Sequence, residues 1–241
     1  MHPQSGRRRG ANGHWLPNQR ESRADRAPIP TESVKTGVAR PGRVESVFLN
    51  IPYDSGFENL YLAYIVGLIQ LGLRVNATLA VPNQGRLEKI IGLIEKSEYS
   101  LHDLSRFETT KGIPRFNMPV ELGLALYRSH DTKGKHRVFV FERKRYRTQR
   151  STSDINGLDP QIHNGSPKGV MAGLRNIFRQ PGDATTVPEM LASYRAVGKR
   201  LPEIRKNAGG SSLFEASVFK DLTVLALIES QKRIESRRQL H

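Results

Sequence analysis

Two carboxylates carry the case for chemistry in this chain. Asp103 closes the run Tyr99-Ser-Leu-His-Asp103-Leu-Ser105, and Glu121 follows a loop within Arg115-Phe-Asn-Met-Pro-Val-Glu121-Leu-Gly123. The first run reads as a strand with Asp103 at its end. The second reads as a helix from about Pro119 to Tyr127, with Glu121 in its first turn. In an open α/β sheet the carboxyl ends of strands and the N-termini of the following helices form one rim, and ligands sit there. Asp103 and Glu121 are therefore expected to share a small-molecule site. One carboxylate in such a pair can be a nucleophile or stabilise a cationic, sugar-like transition state, while the other holds a hydroxyl or shuttles a proton. Tyr53, Asp54, Ser105 and Asn117 fall on the same rim and are the candidate substrate-binding residues. Each assignment has a plainer counterpart. Pro119 at N1 and Glu121 at N3 are helix-start chemistry, because a carboxylate favours the positive end of the helix dipole. Aspartate often closes a strand by bonding local backbone amides, and Ser105 fits the same turn. Strand alternation sends His102 to the face opposite Leu101 and Asp103, where it reads as structural.

Other chemistries are not signalled. The chain has no cysteine, which excludes disulfides, thiolate nucleophiles and thiolate metal sites. Its histidines show no H-E-x-x-H or similar metal spacing, and neither G-x-x-x-x-G-K-[ST] nor G-x-G-x-x-G occurs. No metal or cofactor is expected. A formal charge of +15 over 241 residues predicts attraction to polyanions: nucleic acid, nucleotides or acidic lipid. The longest apolar run, Leu60 to Leu73, is interrupted by Gln70 and falls short of the roughly 20 residues a membrane span needs. No apolar stretch follows the N-terminal arginines as it would in a signal peptide, so a soluble, cytoplasmic protein without a membrane partner is expected.

The elements that must position the carboxylates follow from periodicity. Residues 1–43, with Arg7-Arg8-Arg9 and scattered proline and glycine, bury too little apolar surface to repay ordering and read as a disordered basic tail. Val44 to Ile51 reads as a first strand, and Pro52-Tyr53-Asp54-Ser55-Gly56 as its turn. Apolar residues at 57, 60, 61, 64, 65 and 68 make the buried stripe of a helix that Gly72 stops. A strand from Leu73 to Val81 follows, then a helix opened by Pro82-Asn83-Gln84-Gly85 with Leu87, Ile90, Ile91 and Ile94 inward. Later strands are expected at Glu98–Leu104, His136–Phe141 and Leu158–His163, with a helix from Lys168 to Arg179. Alternating strand and helix is the signature of a parallel sheet with crossovers. The fold class is thus α/β, a parallel sheet of about five strands with helices on both faces, over residues 44–180. Residues 181–241 read as a C-terminal helical extension, with helices at Pro188–Lys206 and Leu213–Arg237. The apolar content of the last helix requires a partner surface, either the main domain or a second copy.

Phe48-Leu-Asn-Ile-Pro-Tyr-Asp54 followed by Phe57, a strand ending Asp103-Leu-Ser105, and Glu121-Leu-Gly123-Leu-Ala125 together resemble the nucleoside 2-deoxyribosyltransferase superfamily. More distantly they are similar to bacterial TIR domains that cleave NAD. The resemblance spans about residues 44 to 142. It implies a Rossmann-like or flavodoxin-like sheet, Glu121 as the nucleophile at an anomeric carbon, Asp103 as its helper, and Tyr53 and Asp54 lining the first βα loop. The expected activity is cleavage or transfer at an N-glycosidic bond of a nucleoside, nucleotide or NAD. Two other readings are carried with it. One is a non-catalytic nucleotide-sensing or interaction module, and the other is a nucleic-acid binder using Arg7 to Arg9 and the basic stretch Arg143 to Arg150.

Overall fold

Five parallel strands, β1 (Ser46–Asn50), β2 (Arg74–Asn76), β3 (Tyr99–Asp103), β4 (Arg137–Glu142) and β5 (Gln161–Ile162), pair in the order β2-β1-β3-β4-β5. The structure is a computed structural model and describes residues 44–80, 85–106, 117–145, 158–209 and 212–239. The seven described α-helices are α1 (Glu58–Gln70), α2 (Arg86–Glu95), α3 (Asn117–Asp131), α4 (Pro167–Phe178), α5 (Val187–Lys199), α6 (Leu201–Asn207) and α7 (Ala216–Arg238). The α/β class and the sheet of five strands read from the sequence are those of the structure. The basic tail, with Arg7 to Arg9, and residues 146–150 of the basic stretch lie outside the described residues.

The strand order decides which helix covers which face. From β1 the chain moves one way to β2, then returns past β1 to β3 and continues to β4. Parallel crossovers are right-handed, so reversing the direction of travel moves the connecting helix to the other face. The packing agrees. Val47, Leu49, Leu101 and Phe141 share one core with α1, α4, α5 and α7, whereas Phe48 packs with Ile90, Ile94 and Ala125 of α2 and α3. Leu104 and Val140 meet Met118 and Leu122 of α3 in a third cluster on that second face.

Helix α1 is buried from Leu60 through Gln70 without interruption. A single stripe is expected from its sequence; the structure adds a second covering, because α5 and α7 close over the side of α1 away from the sheet. This explains the near-continuous apolar run, in which each fully buried large side chain contributes about 1.5–3 kcal/mol. Gly67 permits a close approach of α1 to α4, since a Cβ there would stand 2.6 Å from Leu174 Cδ1. Gly72, at φ +78, turns the chain from α1 into β2. The C-terminal helices share the core of the sheet, and the described residues belong to one compact unit.

Three elements outside the site differ from expectation. The expected strand Leu73–Val81 pairs only at Arg74, Val75 and Asn76, then turns into a 3₁₀ segment, Thr78–Ala80. Leaving the sheet edge there lets Leu79 pack on the core below α7. The expected helix Pro188–Lys206 is broken at Arg200 into α5 and α6, because Pro202 cannot supply the N–H that a continuous helix needs. The fifth strand is two residues long rather than six, a short edge that offers little to an unwanted pairing partner. No helix among the described residues is long and apolar enough to cross a membrane.

Candidate functional site

The strand order β2-β1-β3-β4-β5 has its topological switch between β1 and β3, and the crevice outside their carboxyl ends is where such sheets hold ligands. A cavity of about 310 Å³ lies there, lined by Asn50, Ile51, Pro52, Tyr53, Arg86, Asn117 and Met118. Its walls come from the end of β1, the first turn of α2 and the first turn of α3. The volume is at the lower end of the usual range for small-molecule sites.

Glu121 stands behind this cavity, held by Arg86, one of its lining residues. It is 3% exposed. Arg86 Nη2 donates to Glu121 Oε1 at 3.4 Å, and the Asn50 side chain is near enough to favour the ionised carboxylate. Burial raises the Glu121 pKa above its ordinary 4.5, while the Arg86 charge and the Arg86 and Asn50 hydrogen bonds oppose that rise. Helix α3 begins at Asn117, two residues earlier than expected, so Glu121 falls in its second turn and is not a first-turn cap. Its burial is thus tied to Asn50 and Arg86 rather than to the helix end.

His102 completes this arrangement, a residue read from the sequence as purely structural. Asn50 Nδ2 lies 2.9 Å from His102 Nδ1. The carboxamide nitrogen is the donor, so Nδ1 is bare and the ring proton resides on Nε2, which has no partner among the described residues. Burial, and then the nearby His136, push the His102 pKa down to about 3, so the ring is neutral at ordinary pH. The available signal was alternation: Asn50, which ends β1, and His102, next to last in β3, are in register on one face.

The other candidates separate. Asp103, fully buried, lies on the opposite face of the sheet. Its Oδ2 accepts from Tyr64 Oη of α1 at 2.7 Å and faces His163 Nε2 at 3.2 Å, while Oδ1 accepts from the Ser105 amide at 2.8 Å. The expectation that Asp103 and Glu121 share one site is therefore corrected. Alternation in β3 points Asp103 towards α1, whereas α3 carries Glu121 on the face of α2. Ser105 belongs to the Asp103 network too, with Oγ 2.8 Å from His163 Nε2, and does not line the cavity. His163 Nδ1 accepts from the Gly165 amide, so the ring proton sits on the nitrogen facing Ser105 and Asp103. That nitrogen cannot take a proton from Ser105, which removes a serine–histidine–aspartate reading of the cluster.

Asp54 pairs with Arg106 at 3.3 Å, tying the first βα loop to the segment after β3, and lies outside the cavity lining. Tyr53 and Asn117 do line the cavity. The Tyr53 hydroxyl is pushed up to about 12 by burial, so it stays protonated and acts as a hydrogen-bonding wall. From the basic stretch, Arg143, Lys144 and Arg145 are exposed after β4. Among the described residues no group of three or more histidine, aspartate or glutamate side chains could hold a metal ion.

Fold and site together define a parallel α/β protein of flavodoxin-like strand order with a buried carboxylate at its switch-point crevice. The chain matches no protein-family model, and no curated protein is similar to it.

One prediction follows from the Arg86–Glu121 pair. Arg86 lowers the Glu121 pKa against the effect of burial, so Arg86→Ala is expected to raise it further. Any ligand binding or turnover that needs the ionised carboxylate should then lose its activity at a higher pH than in the wild type. A pH series of ligand-induced thermal shifts checks this, and an unmoved acid limb would show that Arg86 and Glu121 are not coupled. The side chain of Arg86 is 62% exposed, so its removal should leave the fold intact.

Proposed function

We propose that this protein binds a nucleoside, nucleotide or NAD in the β1/β3 crevice and cleaves or transfers at its N-glycosidic bond, with Glu121 as the acting carboxylate. The observation that carries the reading is a buried carboxylate whose side-chain partner, Arg86, lines the switch-point cavity. A carboxylate fixed in this way can attack the anomeric carbon. The C–N bond breaks as the C–O bond forms and the base departs with its electron pair, a nucleoside base taking a proton from solvent and the nicotinamide of NAD leaving neutral without one, and a glycosyl ester remains on Glu121. Water or a second base then attacks the same carbon and releases the carboxylate. Burial sharpens the chemistry by excluding water from the charge that develops on the sugar. Tyr53 and Asn117 supply polar walls for the base or sugar, and Arg86, largely exposed at the mouth, suits a phosphate on the substrate.

A second reading is favoured by one feature of the same site: the Glu121 carboxylate is almost wholly buried and already hydrogen-bonded. A carboxylate so engaged also suits holding the ribose hydroxyls without turnover, in a nucleotide-sensing module. Incubation with NAD and a panel of nucleosides and nucleotides separates the two. Base release supports the enzyme. Ligand-induced thermal stabilisation without release supports the module, and neither result with any member of the panel would remove both.

A further inference from the structure

We infer that α7 is a self-association surface, pairing antiparallel with α7 of a second copy about a two-fold axis between Leu227 and Ile228. Among the described residues this 23-residue helix is partnered on one side only. Val218, Phe219, Leu222, Leu225 and Ala226 are buried in the core, whereas Val224 (55% exposed), Leu227 (47%), Ile228 (42%) and Ile234 (47%) face outward. At 100° per residue these four fall on one stripe, together with Lys220, Gln231 and Glu235. Four of the nine large apolar side chains exposed among the described residues are gathered on this one helix face. Singly exposed apolar residues need no explanation, but a contiguous row marks a contact surface.

Charge complementarity selects the occupant and the register. With the axis between Leu227 and Ile228, Leu227 meets Ile228 of the second copy, Val224 meets Gln231, and Lys220 meets Glu235. Two-fold symmetry makes each contact twice, so the apolar centre is flanked by two Lys220–Glu235 pairs. A parallel pairing would set Lys220 against Lys220 and Glu235 against Glu235. Sliding the antiparallel pair so that Val224 meets Ile234 would bring Lys220 onto Arg238. Of these three arrangements the first satisfies both the apolar centre and the Lys220–Glu235 charges, and Ile234 then lies outside the centre, opposite Asp221. The stripe carries balanced charge at Lys220 and Glu235, so it also escapes the repulsion that the +15 net charge of the chain imposes elsewhere. None of these residues takes part in the candidate site, and the inference is independent of the proposed function.

Sedimentation equilibrium of the full chain from micromolar to hundreds of micromolar concentration tests it. The wild type should show a reversible monomer–dimer equilibrium. Lys220→Glu and Glu235→Lys should each weaken dimerisation by about tenfold or more, because each places like charges together twice, and the double variant should regain most of the loss. Ile228→Asp should leave a folded monomer, as judged by circular dichroism. A wild type that stays monomeric throughout would overturn the surface. A dimer indifferent to both reversals, or one not restored by the double reversal, would overturn the pairing.

Discussion

Glu121→Gln is expected to reduce base release by about 10⁴-fold or more, the scale of losing a nucleophile that acts as part of a unit, while leaving ligand affinity within about threefold. The amide is nearly isosteric with the carboxylate and can still accept a hydrogen bond from Arg86, so the cavity keeps its walls. What is lost is the anion that forms the ester. The separation of turnover from binding is what distinguishes a nucleophile from a residue that only holds sugar hydroxyls. For the latter, affinity would fall and any turnover would fall with it. A second measurement reads the same residue without substrate. The folded-state pKa of Glu121 lies above its ordinary 4.5, so the folded chain binds this proton more tightly than the unfolded chain. Stability from this group is therefore greatest below 4.5 and declines as pH rises through the raised folded value. Glutamine has no such term. The stability of Glu121→Gln relative to wild type should accordingly improve from acid towards neutral pH in denaturant titrations. Equal base release by variant and wild type would sink the catalytic assignment. A stability difference that does not change with pH would show that the carboxylate is not desolvated by the fold.

The fold was largely legible because its signals were local. The β-rich runs at 46–50, 99–103 and 137–142 and the apolar stripe beginning at Phe57 depend on neighbours in sequence, and each element stands within a few residues of its expected place. Boundaries failed where distant packing intervened. Leu79 leaves the sheet to meet the α7 layer, and α1 is buried all round because helices more than a hundred residues later cover it. The site was half legible for a related reason. Glu121 was identified by type and by its place at a helix start, but its partner was misassigned. Alternation within β3 correctly set His102 opposite Asp103. Whether α3 would cover the face of His102 or that of Asp103 depends on the strand order, and that order is set by packing of the whole sheet. With β2 and β3 on either side of β1, the crossover rule places α3 with His102. The pair Asn50 and His102 then becomes the local environment of Glu121. Neither residue carries a motif, and only their register across β1 and β3 joins them.

The same geometry turns Asp103 from a catalytic helper into a structural junction, with a large expected effect on stability. Its two oxygens gather the Tyr64 hydroxyl from α1, the Ser105 amide after β3 and the His163 ring after β5, all without solvent contact for the Asp103, Tyr64 and His163 side chains. Asp103→Ala would leave these donors facing an empty volume. Removing one partner of a buried, charge-bearing network costs about 3–5 kcal/mol, which corresponds to roughly 6–20 °C in the melting temperature of a unit of this size. Tyr64→Phe removes only one donor, and the carboxylate keeps the Ser105 amide and His163, so its cost should be nearer 1–2 kcal/mol. In the double variant the Tyr64 hydroxyl is no longer stranded, and the combined loss should be smaller than the sum of the single losses. Ligand affinity measured well below the melting temperature should be unchanged in both single variants, because neither side chain lines the cavity. That contrast decides the role. If Asp103→Ala melted like the wild type yet failed to bind or turn over ligand, Asp103 would belong to the site after all. If it unfolded early but bound normally while folded, the junction is what holds β3, α1 and the β5–α4 turn together and keeps Asn50 and His102, one residue away on the other face, in register for Glu121.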